Sequence, residues 1–323
     1  MTAPLLELDG LTVELPIEGS YRTVLRDVSL AIAEGEAVGL VGESGSGKSM
    51  TARAIARLLP DGARWEGDVR FAGNPVLALR GAALRSFRQE IAVIFQDARA
   101  HTNPVRTIGD FMTEALRTNE RVDRRTAERR AATLLDAVGI DDGVRRLRQH
   151  PHELSGGMLQ RVMIATALLA EPRLLLADEC TSALDVTTQA EVMAILDELR
   201  RERGLSLLFI THDLELAGAV CDRTAVMYAG ELVEVQASDQ LHDDPRHPYT
   251  VALVGARPRV DATARRLPAI PGRPLSAFEA PSGCGFATRC SHALPSCEAR
   301  HPKLEISDVG SVRCLRSEEL RHG

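Results

Sequence analysis

Residues Gly42-Glu43-Ser44-Gly45-Ser46-Gly47-Lys48-Ser49 fit the spacing G-x-x-x-x-G-K-[ST]. Such a loop binds phosphate. Its glycines let backbone N–H groups turn inward onto phosphate oxygens, Lys48 supplies a point charge, and the Ser49 hydroxyl can hold Mg²⁺. A helix expected over Met50–Leu59 points its positive end at the same phosphates, which adds Met50 to the set. The chain has 37 arginines but only two lysines, Lys48 and Lys303. A lysine kept between Gly47 and Ser49 points to a need for a compact ammonium rather than a wide guanidinium.

Four further groups gain weight beside that loop. Leu174–Glu179 reads as an apolar strand ending in two acids. Asp178 can coordinate Mg²⁺ through oxygen, and Glu179 is placed to polarise a water against a γ-phosphate. Alone, the pair would read equally well as a solvated turn. Gln96 follows the short apolar run Ile91–Phe95, where its amide can touch Mg²⁺ or the attacking water. His212, after the run Leu207–Ile210, can bond the γ-phosphate as a neutral imidazole. Ser155-Gly156-Gly157 opens a helix over Leu159–Leu169 and forms a second anion site of hydroxyl and free N–H groups, or else a plain cap. Two phosphate-binding surfaces far apart in one chain suit a head-to-tail dimer that clamps each nucleotide between two copies.

The elements needed to position these residues are legible in outline. Leu5–Val13 and Val28–Ile32, separated by a turn-rich insert at Pro16–Ser20, read as an antiparallel edge. Glu36–Val41 reads as the strand leading into the phosphate loop, and Gln189–Arg203 as an amphipathic helix. Alternating strands and helices imply an α/β class with a mainly parallel sheet. Residues 97–160 read as helical, and the Arg-rich run Arg121–Arg130, interleaved with Asp123 and Glu128, as a solvated helix face. A net charge of −6 argues against a nucleic-acid partner bound through a basic face. No apolar run approaches the roughly 18–20 residues that span a bilayer, and Met1–Gly10 lacks the pattern of a secretory signal. A cytoplasmic protein is expected, with any membrane spanning left to other chains.

The ordered set Gly42–Ser49, Gln96, Leu154–Gln160, Leu174–Glu179, Ser182-Ala183-Leu184-Asp185 and His212 resembles the nucleotide-binding subunit of an ABC transporter over residues 5–240. The resemblance implies an ABC-type nucleotide-binding domain: a RecA-like parallel sheet core, an antiparallel edge and a helical subdomain near 97–160. It implies an ATPase that dimerises around two ATP molecules and drives alternating access in membrane partners. Carried over by position, Lys48 and Ser49 hold phosphate and Mg²⁺, Gln96 and Asp178 assist the metal, and Glu179 is the base. Ser155 and Gly157 contact the partner's ATP, Asp185 lies at the dimer seam, and His212 is the switch. Tyr21 is the nearby aromatic that could stack on adenine.

Pro151–Met158, His247-Pro248-Tyr249-Thr250, Pro281–Cys284 and Arg289-Cys290 add a finer resemblance, to the oligopeptide/dipeptide/nickel importer branch. That branch implies two transmembrane permease subunits, a second ATPase subunit that is a copy or a paralogue, and an extracytoplasmic binding protein. It also places the chain on the cytoplasmic face of the cell membrane. The chain departs from the branch at Cys180, where proline is usual, at Leu159, where arginine is usual, and over Ala98–Thr102. Leu159 is expected to leave the signature surface less basic. The main competing function is a soluble ABC ATPase without a permease, such as one serving iron–sulfur assembly.

Residues 241–323 read as a small Cys-rich C-terminal subdomain. Cys284, Cys290, Cys297 and Cys314 sit in a loop-rich stretch with few large apolar side chains, which suggests a metal-centred core. Their spacing, C-x5-C-x6-C-x16-C, lacks the paired C-x2-C of common zinc sites. Four thiolates suit a [4Fe–4S] cluster or zinc, and free thiols remain an alternative. The importer resemblance implies the cluster. Cys180 and Cys221 read as plain buried thiols.

Overall fold

The structure, a computed structural model, describes residues 3–181, 184–256, 270–307 and 310–320. The chain divides into two compact units. Residues 1–33, 37–78 and 211–323 form the first, and residues 34–36 and 79–210 form the second.

In the first unit, Leu6–Ile17 pairs antiparallel with Ser20–Ile32 on one side and Arg64–Phe71 on the other. Leu6, Leu8, Leu11 and Val13 turn inward and are buried. The turn expected within Pro16–Ser20 is confined to two residues, and the strands extend into the rest of that segment. Pro16 pairs with Tyr21 and Ile17 with Ser20, and the chain reverses over Glu18 and Gly19, at φ 51° and 79°. A two-residue turn with both φ positive carries the twist that keeps right-twisted strands paired.

Ala37–Val41 is buried along its length and runs parallel to Arg223–Tyr228. That strand forms a hairpin with Glu231–Ala237. Gly310–Val312 pairs with the outer strand of the hairpin and with Glu305–Ser307. The C-terminal tail is therefore tied to the sheet by main-chain hydrogen bonds. It is also anchored by apolar burial: Phe286, Ala287 and Val312 are buried, and the Phe286 ring meets Tyr228 edge-on at 5.3 Å. The expectation that this stretch lacks apolar mass for a core of its own is corrected to that extent.

In the second unit, Ile91–Ile94, Leu174–Asp178 and Ser206–Thr211 run parallel in that order. Their unbroken apolar runs suit strands covered on both faces. The helices Ile108–Asn119, Arg124–Ala137, Gly156–Leu169 and Val186–Arg203 start at Thr107, Asp123, Ser155 and Asp185. Each of these side chains accepts a backbone N–H three residues on. The Arg-rich run does lie on a helix surface: Arg124 pairs with Glu128 at 2.6 Å, while Ala127, Ala131, Leu134 and Leu135 face inward.

Candidate functional site

The buried strand Ala37–Val41 delivers the phosphate loop, and the helix after it starts at Lys48 and ends at Ile55, earlier at both ends than the sequence suggests. Arg57 turns to φ 57° just beyond. Gly42 has no room for a side chain, because a Cβ there would stand 2.2 Å from the Met227 carbonyl oxygen. Lys48 is only 4% exposed. Its Nζ donates to the carbonyls of Gly42 at 2.7 Å and Glu43 at 3.1 Å, which folds the ammonium back over the loop. The Ser46 hydroxyl is buried and makes no hydrogen bond. A buried polar atom left so is costly, and an oxygen-rich ligand such as phosphate would answer it. Ser44, Gly45, Ser49 and Met50 occupy the loop and first helical turn as read.

His212 lines a cleft of about 260 Å³ together with Val41, Gly42, Asp213 and Leu214. Asp213 fixes the turn by accepting the amides of Glu215 at 2.9 Å and Leu216 at 3.2 Å. Tyr21 is 40% exposed, and the Arg64 guanidinium lies 3.5 Å from its ring centroid, covering one face.

The second unit holds the acids and the second anion surface. Glu179 follows the strand Leu174–Asp178 with φ 45°, and its N–H bonds the Ile210 carbonyl at 2.9 Å. A left-handed backbone at a non-glycine residue costs on the order of 1–2 kcal/mol and collects at functional sites. Gln96 Nε2 donates to Glu179 Oε2 at 3.0 Å, so these two residues form a pair. Ser155 Oγ accepts the Met158 amide at 3.2 Å. Ser155, Gly156 and Gly157 line a cleft of about 610 Å³ with Asp185, Arg146 and Arg161. A Cβ on Gly157 would stand 2.9 Å from Thr188 Cγ2, whereas one on Gly156 would meet nothing within 4 Å. Gly157 is therefore needed for packing, and Gly156 keeps the cleft open. Asp185 accepts from the Thr188 amide at 3.0 Å and hydroxyl at 2.8 Å, bonds that hold its carboxyl below the usual range. Ser182 and Ala183 lie outside the described residues.

Leu159 is fully buried in its helix and adds nothing to the signature surface. The cleft there is lined by Arg146 and Arg161 alongside Asp141 and Asp185, and Arg161 pairs with Glu191 at 2.6 Å.

The four tail cysteines line one pocket, with Phe286, Ala287 and Leu315 among its apolar walls. Backbone N–H groups of Phe286, His292 and Arg316 donate to the sulfurs of Cys284, Cys290 and Cys314, the last at 3.4 Å. Burial pushes the Cys284 thiol up to about 11 and raises Cys290 and Cys314 as well. Among the described residues, no three His, Cys, Asp or Glu stand close enough to hold a single metal ion. Cys180 and Cys221 are buried thiols, and burial raises Cys180 to about 12.

Two residues from beyond residue 240 touch the phosphate loop, and neither stands out in the sequence as part of the ATP site. Arg289 Nη1 and Nη2 donate to the two carboxylate oxygens of Glu43, at 2.7 and 3.2 Å. The Tyr249 hydroxyl accepts the Glu43 amide at 3.0 Å. The only sequence signal for either was its place in His247–Thr250 or in Arg289-Cys290.

Comparison with known proteins covers nearly the whole chain. Residues 25–182 match the ABC transporter family, and residues 233–297 match the oligopeptide/dipeptide transporter C-terminal region. A provisionally named peptide import ATP-binding protein of Brucella abortus is 44% identical over 97% of this chain and 95% of its own length. The oligopeptide transport ATP-binding protein of Haemophilus influenzae is 41% identical over 98% of each chain. Among solved structures, an ATP-binding cassette in a dimeric post-hydrolysis state with ADP and Pi is similar at TM-score 0.65 and 29% identity. That match covers 72% of this chain and 98% of the other.

Proposed function

Because the chain belongs to the ABC transporter ATP-binding subunits of the peptide-import type, we propose that its ATP hydrolysis powers import of peptides, or of a related small substrate such as a nickel complex, through a membrane permease. The observation that carries this reading is that one chain holds two separate helix starts whose geometry suits an anion. One is at the loop Gly42–Ser49, with its buried Lys48 and orphaned Ser46 hydroxyl. The other is the open helix start capped by Ser155.

In this reading Lys48 and the loop amides hold the ATP phosphates. Ser49, Asp178 and Gln96 would hold Mg²⁺, which when bound supplies charge neutralisation on the β- and γ-phosphates. Glu179 takes a proton from the attacking water, and His212 orients the γ-phosphate. Ser155 and Gly157 of one ATPase subunit face the nucleotide of the other, with Asp185 at the seam. The pair comprises this chain with a copy or a paralogue. Two permease subunits and an extracytoplasmic binding protein complete the assembly, and the chain sits on the cytoplasmic face of the membrane. No described helix is long and apolar enough to cross a membrane.

Cys284, Cys290, Cys297 and Cys314 would hold a [4Fe–4S] cluster with a structural role, cross-linking the tail loops. What supports this is the donor set: four thiols line one largely apolar pocket and three accept backbone N–H bonds that partly offset the burial which raises them. Anaerobically purified protein should be brown with about four irons per chain, and Cys297→Ser should remove the colour. Colourless protein carrying one zinc rejects the assignment.

The function is tested in liposomes containing the chain, its permease partners and the binding protein. Peptide should stimulate ATP hydrolysis and accumulate inside, and Lys48→Ala should abolish both. Full ATP hydrolysis without uptake of any peptide or metal complex would favour the permease-free ATPase instead.

A further inference from the structure

Glu43 occupies a position where the phosphate-loop pattern accepts any residue. Yet it is tethered at its carboxylate, its amide and its carbonyl. Its carboxylate receives the two-pronged Arg289 contact at 2.7 and 3.2 Å, and its amide donates to Tyr249 Oη at 3.0 Å. Its carbonyl accepts from Lys48 at 3.1 Å. Both outside partners come from beyond residue 240. Each is itself fixed. The Arg289 side chain is 4% exposed, and its Nε donates to the Pro271 carbonyl at 2.7 Å. Its guanidinium lies 5.7 Å from the Tyr228 ring centroid and 5.9 Å from that of Phe286. Tyr249 is fully buried and packs on Tyr228 and Phe286.

We propose that Arg289, assisted by Tyr249, is a positioning residue for ATP, holding the phosphate loop in its binding conformation through Glu43, so that the C-terminal extension sets nucleotide affinity. This rests on the ATPase reading of the loop. The physical argument is preorganisation. A phosphate loop binds by aiming several backbone N–H groups at once. If the main chain at Glu43 is free, ATP must order it on binding and affinity falls by that cost. Arginine fits the task because its planar fork fixes a carboxylate in both direction and distance, which an ammonium does not. The pair is also poorly exposed, so removing one partner strands the other. The turn Ala287–Arg289 runs directly into Cys290, so order at the thiol pocket and order at the loop share one short stretch of chain.

The test measures MgATP affinity of the full chain by titration calorimetry, alongside melting temperature, and the KM for ATP in the assembled transporter. Arg289→Met should weaken ATP binding roughly tenfold or more, and Arg289→Lys should recover part of that loss. The double variant Glu43→Gln/Arg289→Met should be no weaker than Arg289→Met alone, because the two act as one contact. In the transporter, KM for ATP should rise with kcat at saturating ATP little changed. Tyr249→Phe, which removes a single hydroxyl, should weaken binding severalfold and decides the matter if Arg289→Met does not fold. Lower melting temperatures with unchanged ATP affinity in these variants would show a merely structural contact and overturn the proposal. A wild-type chain that fails to bind ATP would sink the ATPase reading itself.

Discussion

Glu179 combines a left-handed backbone, at φ 45°, with a carboxylate held by Gln96 at 3.0 Å. The strained main chain fixes where the side chain leaves the strand, and the amide fixes where it ends. In the proposed mechanism, where Glu179 acts as the base, these two constraints hold its carboxylate in one position. Glu179→Gln should therefore keep ATP binding, lower turnover by about 10²–10⁴-fold and trap an ATP-bound dimer. Turnover measured in the assembled complex, and mass by light scattering with MgATP, check this; a wild-type rate rejects the assignment. The phosphate loop was readable because its chemistry restricts residue types at fixed spacing. Arg289 and Tyr249 were not, since they lie 246 and 206 residues from Glu43 and such a pairing leaves no periodic trace. Leu159 stands one turn after the signature serine, its amide bonding the Ser155 carbonyl at 2.9 Å, but its helical spacing with Val162 and Met163 puts its side chain on the buried face.

In the second unit helix ends are more legible than starts: Leu169 and Arg203 end their helices where the sequence suggests, whereas the same helices begin at Gly156 and Val186, three residues before Leu159 and Gln189. His247 is an unusual cap and gives the chain a pH dependence. Its Nδ1 accepts the Tyr249 amide at 3.1 Å, which requires an unprotonated ring nitrogen, and burial pushes its pKa from 6.5 down to about 3. The unfolded chain takes up this proton more readily between those values. The contribution to stability is thus complete above pH 6.5 and is lost as pH falls toward 3, by up to about 1.4 kcal/mol per pH unit. His247→Asn keeps an acceptor but cannot titrate, so its melting temperature should fall less than that of the wild type between pH 6.5 and 5. Parallel pH curves would refute the assignment. Glu234 accepts the amides of Arg246 and His247 at 2.7 and 2.9 Å, and burial raises its pKa, which acts in the opposite direction. It is present in both proteins, so the difference between the curves isolates His247. The antiparallel edge and its turn near Pro16–Ser20 are legible, but the strands run to Ile17 and from Ser20, farther than the sequence suggests, because a glutamate at φ 51° is not the Asn or Asp that usually announces a two-residue turn.

At the scale of the molecule, the sequence marks changes of composition, whereas compact units follow contacts. Gly35 belongs with the second unit because its N–H bonds Ser206 Oγ at 2.8 Å and its carbonyl accepts from Arg200 at 2.7 Å. The prolines and cysteines after residue 240 announce a new composition, yet that stretch pairs its strand with Glu231–Ala237. We propose the segment 97–115 as the surface that receives the permease. Asp97 accepts the amides of Arg99 at 2.9 Å and Ala100 at 3.1 Å, and His101 stacks on Phe95 at 4.2 Å, so the turn is ordered. On it Val105, beside Pro104, is 80% exposed. An ordered turn that holds a branched apolar side chain in solvent suits the insertion of an amphipathic permease helix. Val105→Glu, alone or with Arg99→Glu, should therefore abolish peptide uptake and peptide stimulation of hydrolysis in the reconstituted transporter, while the isolated chain binds ATP as before. Uptake at the wild-type rate, or permease crosslinks confined to residues 284–314, would place the mechanical contact elsewhere.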